Sequence, residues 1–255
     1  MRWAYLDHPV PFGIAHRGGN TGPPENTVAA FAAAVEMGYL YLETDVHLSS
    51  DGVLVAFHDD DLSRLVGHDA AIGDLRWDEI REIDLGDGHH IPRLEELLDA
   101  FPTSRFNIDP KSDQAVEPLA SMISEYGLVD NICIGSFEQD RIDRAQALLG
   151  PSLCTSPATP GALRVVAAAL FWPRWKSRYG CLQIPPRWKR LPLTSSWFIR
   201  RVQRMGMQVH YWTINEVPEM HHLLDRGADA IITDNVVELA AVLEQRRSSP
   251  NQSPH

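Results

Sequence analysis

The stretch QVHYWTINEVPEMHHLLDRGADAIITD, residues 208–234, decides the fold class. It opens with an apolar run at 208–212, continues with apolar residues at helical spacing over 217–226, and ends with a second apolar run at 230–233. Two short apolar runs separated by one amphipathic helix are typical of a βαβ unit. The stretch therefore predicts an α/β fold whose strands are parallel.

The same alternation continues outward from this stretch over nearly the whole chain. Further strands are expected at residues 13–16, 39–46, 105–109, 132–135, 152–155 and 181–184, with an extended segment at 53–57. The other helices are expected at 26–37, 94–101, 115–126, 137–149, 161–170, 195–205 and 236–244. About eight strand–helix units predict a (β/α)8 TIM barrel. A doubly wound sheet is the alternative, since alternation alone fits both folds.

Two stretches interrupt the alternation. Residues 59–92 are polar and rich in Gly and Asp, which predicts a small insertion after the second strand, with a short helix at 77–83. Residues 245–255, QRRSSPNQSPH, have the composition of a disordered tail. Residues 1–244 are thus expected to form a single barrel domain.

Composition narrows the classes of function. The chain has 255 residues, and its 34 acidic and 23 basic residues give a net charge of −11, which disfavours a general nucleic-acid binder. Cys133, Cys154 and Cys181 are widely spaced, without the local pairs of a zinc site, and are interpreted as reduced, buried thiols.

The sequence also bears on location. The first residues lack a basic start followed by an apolar run, and no stretch of about 20 apolar residues is present. We expect a cytoplasmic protein without a signal peptide.

Acidic side chains follow two of the predicted strands, and catalytic groups of a TIM barrel lie at such strand ends. Glu43 and Asp45 are two residues apart, as are Asp109 and Lys111, so each pair can point into the barrel mouth. Three converging carboxylates would repel one another unless they held a cation. Their hard oxygen ligands predict Mg²⁺ or Ca²⁺.

Basic side chains and imidazoles complete the set. Arg17 and Lys111 can bind the non-bridging oxygens of a phosphate. His16 and His58 can act as base and acid, because free imidazole exchanges protons near neutral pH. Together with a cation, these groups suit the cleavage of a phosphodiester.

The same residues lie in motifs that resemble the glycerophosphodiester phosphodiesterases. The motifs are AHRGGNTGPPENT (15–27), ETDVHLSSDGVLVAFHD (43–59), IPRLEELL (91–98) and FNIDPKSD (106–113), followed by IGSFEQD, HYWTINE and GADAIITD. They occur in the family's order, and the resemblance runs from about residue 13 to residue 243. Asp109 stands where the family usually has Glu.

The resemblance implies a TIM barrel and a role for each candidate residue. The implied roles are an acid–base pair at His16 and His58, a site for one divalent cation at Glu43, Asp45 and Asp109, phosphate contacts from Arg17 and Lys111, and an aromatic wall at Trp212. Residues 59–92 match the small subdomain over the family's active site. The implied reaction yields glycerol 3-phosphate and an alcohol, and either water or the glycerol 2-hydroxyl can be the attacking group.

Two alternatives remain open at this stage. One is a lysophospholipase D-type enzyme that acts on lysophospholipids at a membrane. The other is a non-catalytic barrel that binds phosphodiesters, although a pure binder has no need of an acid–base pair. The alcohol and the oligomeric state are not predicted.

One region has a charge that bears on the first alternative. No acidic residue occurs between Asp143 and Glu216, and residues 164–204 contain ten basic residues interleaved with four tryptophans. Such a composition suits peripheral contact with an anionic lipid surface. A solvated outer face with core tryptophans is the simpler interpretation, and we prefer it.

Overall fold

Strands and helices alternate along the chain in the computed structural model, which describes residues 3–172, 175–187 and 193–248. The strands are β1 (Phe12–His16), β2 (Tyr41–Leu48), β3 (Leu54–Ala56), β4 (Arg105–Pro110), β5 (Ile132–Ile134), β6 (Cys154–Thr155), β7 (Cys181–Ile184), β8 (Gln208–Tyr211) and β9 (Ala230–Thr233). The helices are α1 (Val28–Glu36), α2 (Ser63–Val66), α3 (Trp77–Ile80), α4 (Leu94–Ala100), α5 (Val116–Glu125), α6 (Gln139–Leu149), α7 (Thr159–Phe171), α8 (Ser196–Arg204), α9 (Val217–Asp225) and α10 (Val236–Ser248).

Eight of these strands form a nearly closed parallel barrel. Their order is β6-β5-β4-β2-β1-β9-β8-β7, so β1 pairs with both β2 and the last strand. A doubly wound sheet would reverse its strand order in the middle and leave two open edges. Here the remaining seam, between β6 and β7, is bridged by the Gly180 amide, which donates to the Thr155 carbonyl at 3.0 Å. The TIM-barrel prediction is confirmed.

The strands bury side chains on both faces, which explains their continuous apolar runs. Ile132 and Ile134 of β5 pack outward against the helices in the main core. Cys133, between them, points inward and packs with Tyr5, Leu6 and other interior residues in a second apolar cluster. The barrel interior is therefore a packed core below the active-site end.

A short 3₁₀ turn at Ala4–Leu6 packs against this interior cluster. Tyr41 donates its hydroxyl to the Tyr5 carbonyl at 2.7 Å, and the Arg105 guanidinium donates to the same carbonyl at 2.8 Å. The side chains of Tyr5 and Leu6 are only 1% exposed. The turn is thereby fixed to the strands whose interior side chains it covers.

Residues 59–92 carry their own small core, as an insertion should. The strand β3 pairs antiparallel with the end of β2, outside the barrel, and leads into α2 and α3. Apolar side chains of this region form a separate buried cluster: Val55, Phe57, Leu62, Ile72, Ile80 and Ile91. The helix expected at 77–83 ends earlier, at Ile80.

The C-terminal boundary differs from the prediction. The last helix, α10, runs to Ser248, so the expectation of disorder from residue 245 is wrong for 245–248. The Arg246 guanidinium donates to Asp225 at 2.6 Å, which ties this turn to α9. Residues 249–255 lie outside the described residues. Within the described part of the chain, no helix is both long and apolar enough to cross a membrane.

Candidate active site

One cavity, of about 290 Å³, is lined by all eight residues singled out from the sequence. They are His16, Arg17, Glu43, Asp45, His58, Asp109, Lys111 and Trp212. Most come from the carboxyl ends of β1, β2 and β4 or from the residues just beyond a strand. The structure thus brings the whole predicted set together, while the role of each residue stays a prediction.

A glycine-rich turn after β1 directs the first of these side chains. Arg17 has a positive φ of 53°, and its amide donates to the Glu43 carbonyl at 3.0 Å and to the Glu43 carboxylate at 3.2 Å. The next residue, Gly18, also has a positive φ, and a Cβ there would lie 2.7 Å from the Ala30 side chain. Glycine is therefore needed for the turn to pack against α1.

The His16 imidazole is held between two carboxylates. Its Nδ1 lies 2.5 Å from Asp234 Oδ1, and its Nε2 lies 3.8 Å from Glu43 Oε2. Burial lowers the pKa of His16, but Glu43 and Asp234 outweigh burial and raise it above the usual value. A carboxylate at Nδ1 fixes the ring, so that Nε2 can exchange a proton on the cavity side.

The His58 imidazole has the same kind of support. Its Nδ1 lies 2.6 Å from Asp59 Oδ1, and Arg64 of α2 donates to the other oxygen of Asp59 at 2.5 Å. The backbone carbonyl of His58 contacts the buried His47 ring at 3.3 Å. Both imidazoles at the cavity are thus oriented through Nδ1 by a carboxylate.

Sequence reasoning missed both supporting carboxylates. The signals were present, because Asp59 directly follows His58 and Asp234 ends the IITD motif after β9. A third carboxylate, Glu25, accepts from Arg17 at 3.1 Å and from Arg64 at 2.5 Å. These contacts connect the insertion to the site.

Asn26 directly precedes the cap of the first helix and has another role. Thr27 is the cap, because its hydroxyl accepts from the Ala30 amide at 3.2 Å. Asn26 is instead 2% exposed, donates to Asp45 at 3.4 Å and accepts from the Thr44 hydroxyl at 2.8 Å. The Asn26 side chain therefore helps to position the Asp45 carboxylate.

Two of the three acidic side chains at the cavity floor are paired with basic side chains. Lys111 Nζ bridges Asp45 at 2.7 Å and Asp109 at 2.8 Å, and Arg17 Nε lies 3.1 Å from the second oxygen of Asp45. Burial would raise the pKa of Asp45, but Lys111 and Arg17 outweigh it and lower the value. Burial and then Asp45 raise the pKa of Glu43 to about 7. One buried carboxylate is therefore left without full compensation.

This donor set fits a hard divalent cation in charge and in chemistry. Carboxylate oxygens are the ligands that Mg²⁺ and Ca²⁺ prefer. The position of Lys111 between Asp45 and Asp109 shows that positive charge is favoured there. A bound cation would also compensate the negative charge of ionised Glu43. Among the described residues, however, these three carboxylates do not bring one oxygen each within 4.8 Å of one another. An ion bound by all three would require them to close on it.

The opposite side of the cavity is apolar. Its residues follow β5 and β6, belong to α7, lie at the end of β7 or precede α8. They are mainly Phe137, Pro157, Ala158, Ala162, Leu163, Val166, Ile184, Pro185 and Leu193. Trp212 meets Phe137 edge-to-face, with ring centroids 5.8 Å apart. The cavity therefore suits a ligand with one anionic end and one apolar end.

Comparisons with known proteins agree with this geometry. Residues 16–238 match the Glycerophosphoryl diester phosphodiesterase family. The chain is 37% identical, over 249 residues, to the Mycobacterium tuberculosis protein named Probable glycerophosphodiester phosphodiesterase 2, covering 95% of this chain and 94% of that protein. It is 26% identical, over 264 residues, to human Lysophospholipase D GDPD1, covering 89% and 84% of the two chains.

A solved structure gives the same result for the fold. The glycerophosphodiester phosphodiesterase of Thermotoga maritima superposes with a TM-score of 0.75 at 28% identity, over 92% of this chain and 99% of that one. With the matched residues spanning the cavity from His16 to beyond Asp234, the chain belongs to the glycerophosphoryl diester phosphodiesterase family.

Proposed function

We propose that this protein hydrolyses glycerophosphodiesters to glycerol 3-phosphate and an alcohol, with one divalent cation and two histidines as acid and base. The observation that carries the proposal is the pair of imidazoles at one cavity. His16 and His58 each have Nδ1 on a carboxylate, which leaves Nε2 as the proton-exchanging atom. Buried carboxylates and two cationic side chains line the same cavity. Family membership supports the reaction class.

Substrate binding begins with the two cationic side chains. Arg17 and Lys111 are paired with Asp45 in the ligand-free arrangement. A phosphate offers the same kind of acceptor oxygens, so these side chains can bind its non-bridging oxygens. Trp212 lies at the same cavity and would contact the glycerol end.

Glu43, Asp45 and Asp109 would hold Mg²⁺ or Ca²⁺, which supplies positive charge to the phosphoryl oxygens. The chain's own imidazoles then handle the protons. One of His16 and His58 takes the proton of the attacking hydroxyl, and the other gives a proton to the leaving alcohol. If water attacks, glycerol 3-phosphate forms directly. If the glycerol 2-hydroxyl attacks, a cyclic phosphate forms, which water then opens to glycerol 3-phosphate with the two rings in exchanged roles. The Asp234 and Asp59 carboxylates stabilise whichever ring becomes cationic.

The insertion would form one edge of this site. Arg64 of α2 contacts both Glu25 and Asp59, which in turn contact Arg17 and His58. These ion pairs support the proposal that residues 59–92 cover the active site and help to position its cationic and imidazole groups.

A second candidate is hydrolysis of lysophospholipids. The apolar wall of the cavity favours it, because a deacylated phosphodiester has no group that needs such a surface. Three aromatic side chains are at least half exposed: Phe171 at the end of α7, Trp172 just after it, and Trp197 of α8. The Arg201 guanidinium lies over the Trp197 ring, 5.3 Å from its centroid. Within the predicted 164–204 contact region, residues 173–174 and 188–192 lie outside the described residues.

Metal removal tests the cation. Dialysis against EDTA is expected to abolish turnover of glycerophosphocholine, and Mg²⁺ or Ca²⁺ should restore it. Glu43→Gln and Asp45→Asn should lower kcat at least about a hundredfold, since a bound ion contributes several kcal/mol to such reactions. The matched control is Glu125→Gln, an exposed carboxylate at the end of α5, which should retain wild-type kcat. Full turnover by metal-free protein would refute the assignment.

Histidine variants test the acid–base pair. His16→Ala and His58→Ala should each lower kcat by about 10²–10⁴-fold, the usual contribution of general acid–base catalysis. His68→Ala, an exposed histidine in the insertion, serves as control and should have no effect. Steady-state kinetics with glycerophosphocholine give the answer. Wild-type activity in both site variants would exclude the assignment, and tight diester binding without turnover by the wild type would identify a non-catalytic barrel.

Leu163→Ser tests the second candidate, because Leu163 lines the apolar wall and is 40% exposed. If an acyl chain lies there, kcat/KM for lysophosphatidylcholine should fall by about tenfold while that for glycerophosphocholine stays unchanged. Leu148→Ser, at an exposed leucine of α6, is the control. Equal loss on both substrates, or no wild-type turnover of lysophosphatidylcholine, would remove this candidate.

A further inference from the structure

All three cysteines of the chain meet inside the barrel, although they lie far apart in the sequence. Cys133 of β5 is in register with Cys154 of β6, and Cys181 is the first residue of β7. The sulfur atoms all lie within 4.8 Å of one another, and those of Cys133 and Cys181 are 3.8 Å apart. The three side chains have no exposed surface. Gln183, two residues after Cys181, lines the active-site cavity, so the sulfurs lie one layer deeper.

Two buried polar atoms beside this sulfur cluster have no hydrogen-bond partner among the described residues. They are the Tyr5 hydroxyl and His210 Nδ1. Tyr5 lies in electrostatic range of all three sulfurs, and His210 lies beside Cys181. Buried polar groups are normally satisfied. Two such atoms at one cluster indicate a component that packed thiols alone do not supply.

The His210 ring is already oriented for a ligand. Its Nε2 faces Gln208 Oε1 at 3.0 Å. When Nε2 donates its hydrogen to that carbonyl oxygen, Nδ1 carries the free lone pair, and metal-binding histidines are fixed by a partner in the same way. Since Gln208 occupies Nε2 and the ring lies beside Cys181, Nδ1 is the nitrogen available to a ligand at the sulfurs.

We propose that Cys133, Cys154 and Cys181 bind one thiophilic divalent cation of the Zn²⁺ class, with His210 as the fourth ligand. In a tetrahedral site with metal–sulfur bonds of about 2.3 Å, the sulfurs are about 3.8 Å apart. The Cys133–Cys181 separation has this value. The Tyr5 hydroxyl then donates to a thiolate, which gives both unpartnered atoms a role.

The backbone leaves room for the sulfurs at this position. A Cβ on Gly180 would lie 2.6 Å from Cys154 Sγ and 3.2 Å from the Leu6 side chain. Glycine at 180 is therefore a requirement of the cluster. Its amide also makes the backbone hydrogen bond to Thr155 across the seam.

The charges favour a divalent over a monovalent ion. Binding releases the three thiol protons to solvent, so the site carries a net charge of −1 with a divalent ion and −2 with Cu(I). Burial in an apolar surrounding disfavours the larger net charge. Sulfur ligands also separate this site from the oxygen ligands at the active-site end, which prefer hard ions.

The location gives the ion a structural role. It would join β5, β6 and β7, and the seam between β6 and β7 is where the barrel lacks regular strand pairing. A cation here would hold the barrel closed below the active site. Since the cluster is fully buried, we expect the ion to enter as the chain folds.

The test is to refold the full chain from denaturant with Cd²⁺ or Zn²⁺ under reducing conditions. We expect the thiolate-to-cadmium absorption in the ultraviolet to reach its maximum at one thiolate-bound Cd²⁺ per chain, apart from any ion at the active-site carboxylates, and a higher Tm with Zn²⁺ than without it. Cys181→Ser should lose the absorption band and the Tm increase. Asp45→Asn, altered only at the active-site end, should keep both.

The wild-type titration decides the question even if Cys181→Ser fails to fold. Refolded wild type that shows no cadmium–thiolate band, or a Tm unchanged by Zn²⁺, would overturn the proposal. A disulfide between Cys133 and Cys181, found by mass spectrometry of the native protein, would overturn it in favour of a redox pair. A Tm increase with Zn²⁺ that disappears in Asp45→Asn would assign the stabilising ion to the active site and overturn the proposal.

Discussion

The active-site end depends on the compensation of buried negative charge by two basic side chains. Glu43 and Asp45 are 6% and 2% exposed, at the end of a strand that is buried on both faces. Carboxylates at such depth are costly unless they are paired. Arg17 and Lys111 provide that pairing for Asp45, whereas Glu43 has neither as an ion-pair partner and its pKa is raised to about 7. Both basic residues are fixed by the backbone, one by a left-handed turn after β1 and one directly after β4. These ion pairs can be replaced when substrate binds. We propose that a phosphate then pairs with Arg17 and Lys111, while a cation pairs with the carboxylates.

Much of this end could be predicted from the sequence, because parallel strands bring their carboxyl ends to one edge. Polar residues at the ends of β1, β2 and β4 had to converge once a barrel was inferred. The supporting carboxylates were harder to identify, since Asp59 and Asp234 reach the histidines only through loop geometry. Asn26 lies against Asp45 instead of capping α1 because the neighbouring Thr27 supplies the cap.

The cysteine cluster below the active site could not be predicted from residue spacing along the chain. In the sequence, the three cysteines lack the short spacing of common zinc sites. Their convergence depends on the register of β5, β6 and β7, which the sequence does not specify. The end of α10 could not be predicted from the sequence either, because its last turn is held by Asp225 on another helix.

The proposed reaction requires a cation and a phosphate at adjoining positions of one cavity. A crystal of the protein grown with Mn²⁺ and glycerol 3-phosphate, measured at the manganese absorption edge, tests that requirement. We predict one anomalous peak among Glu43, Asp45 and Asp109, with the phosphate on Arg17 and Lys111 and an imidazole to either side. A phosphate bound there without an ion, or an ion bound away from these carboxylates, would contradict it.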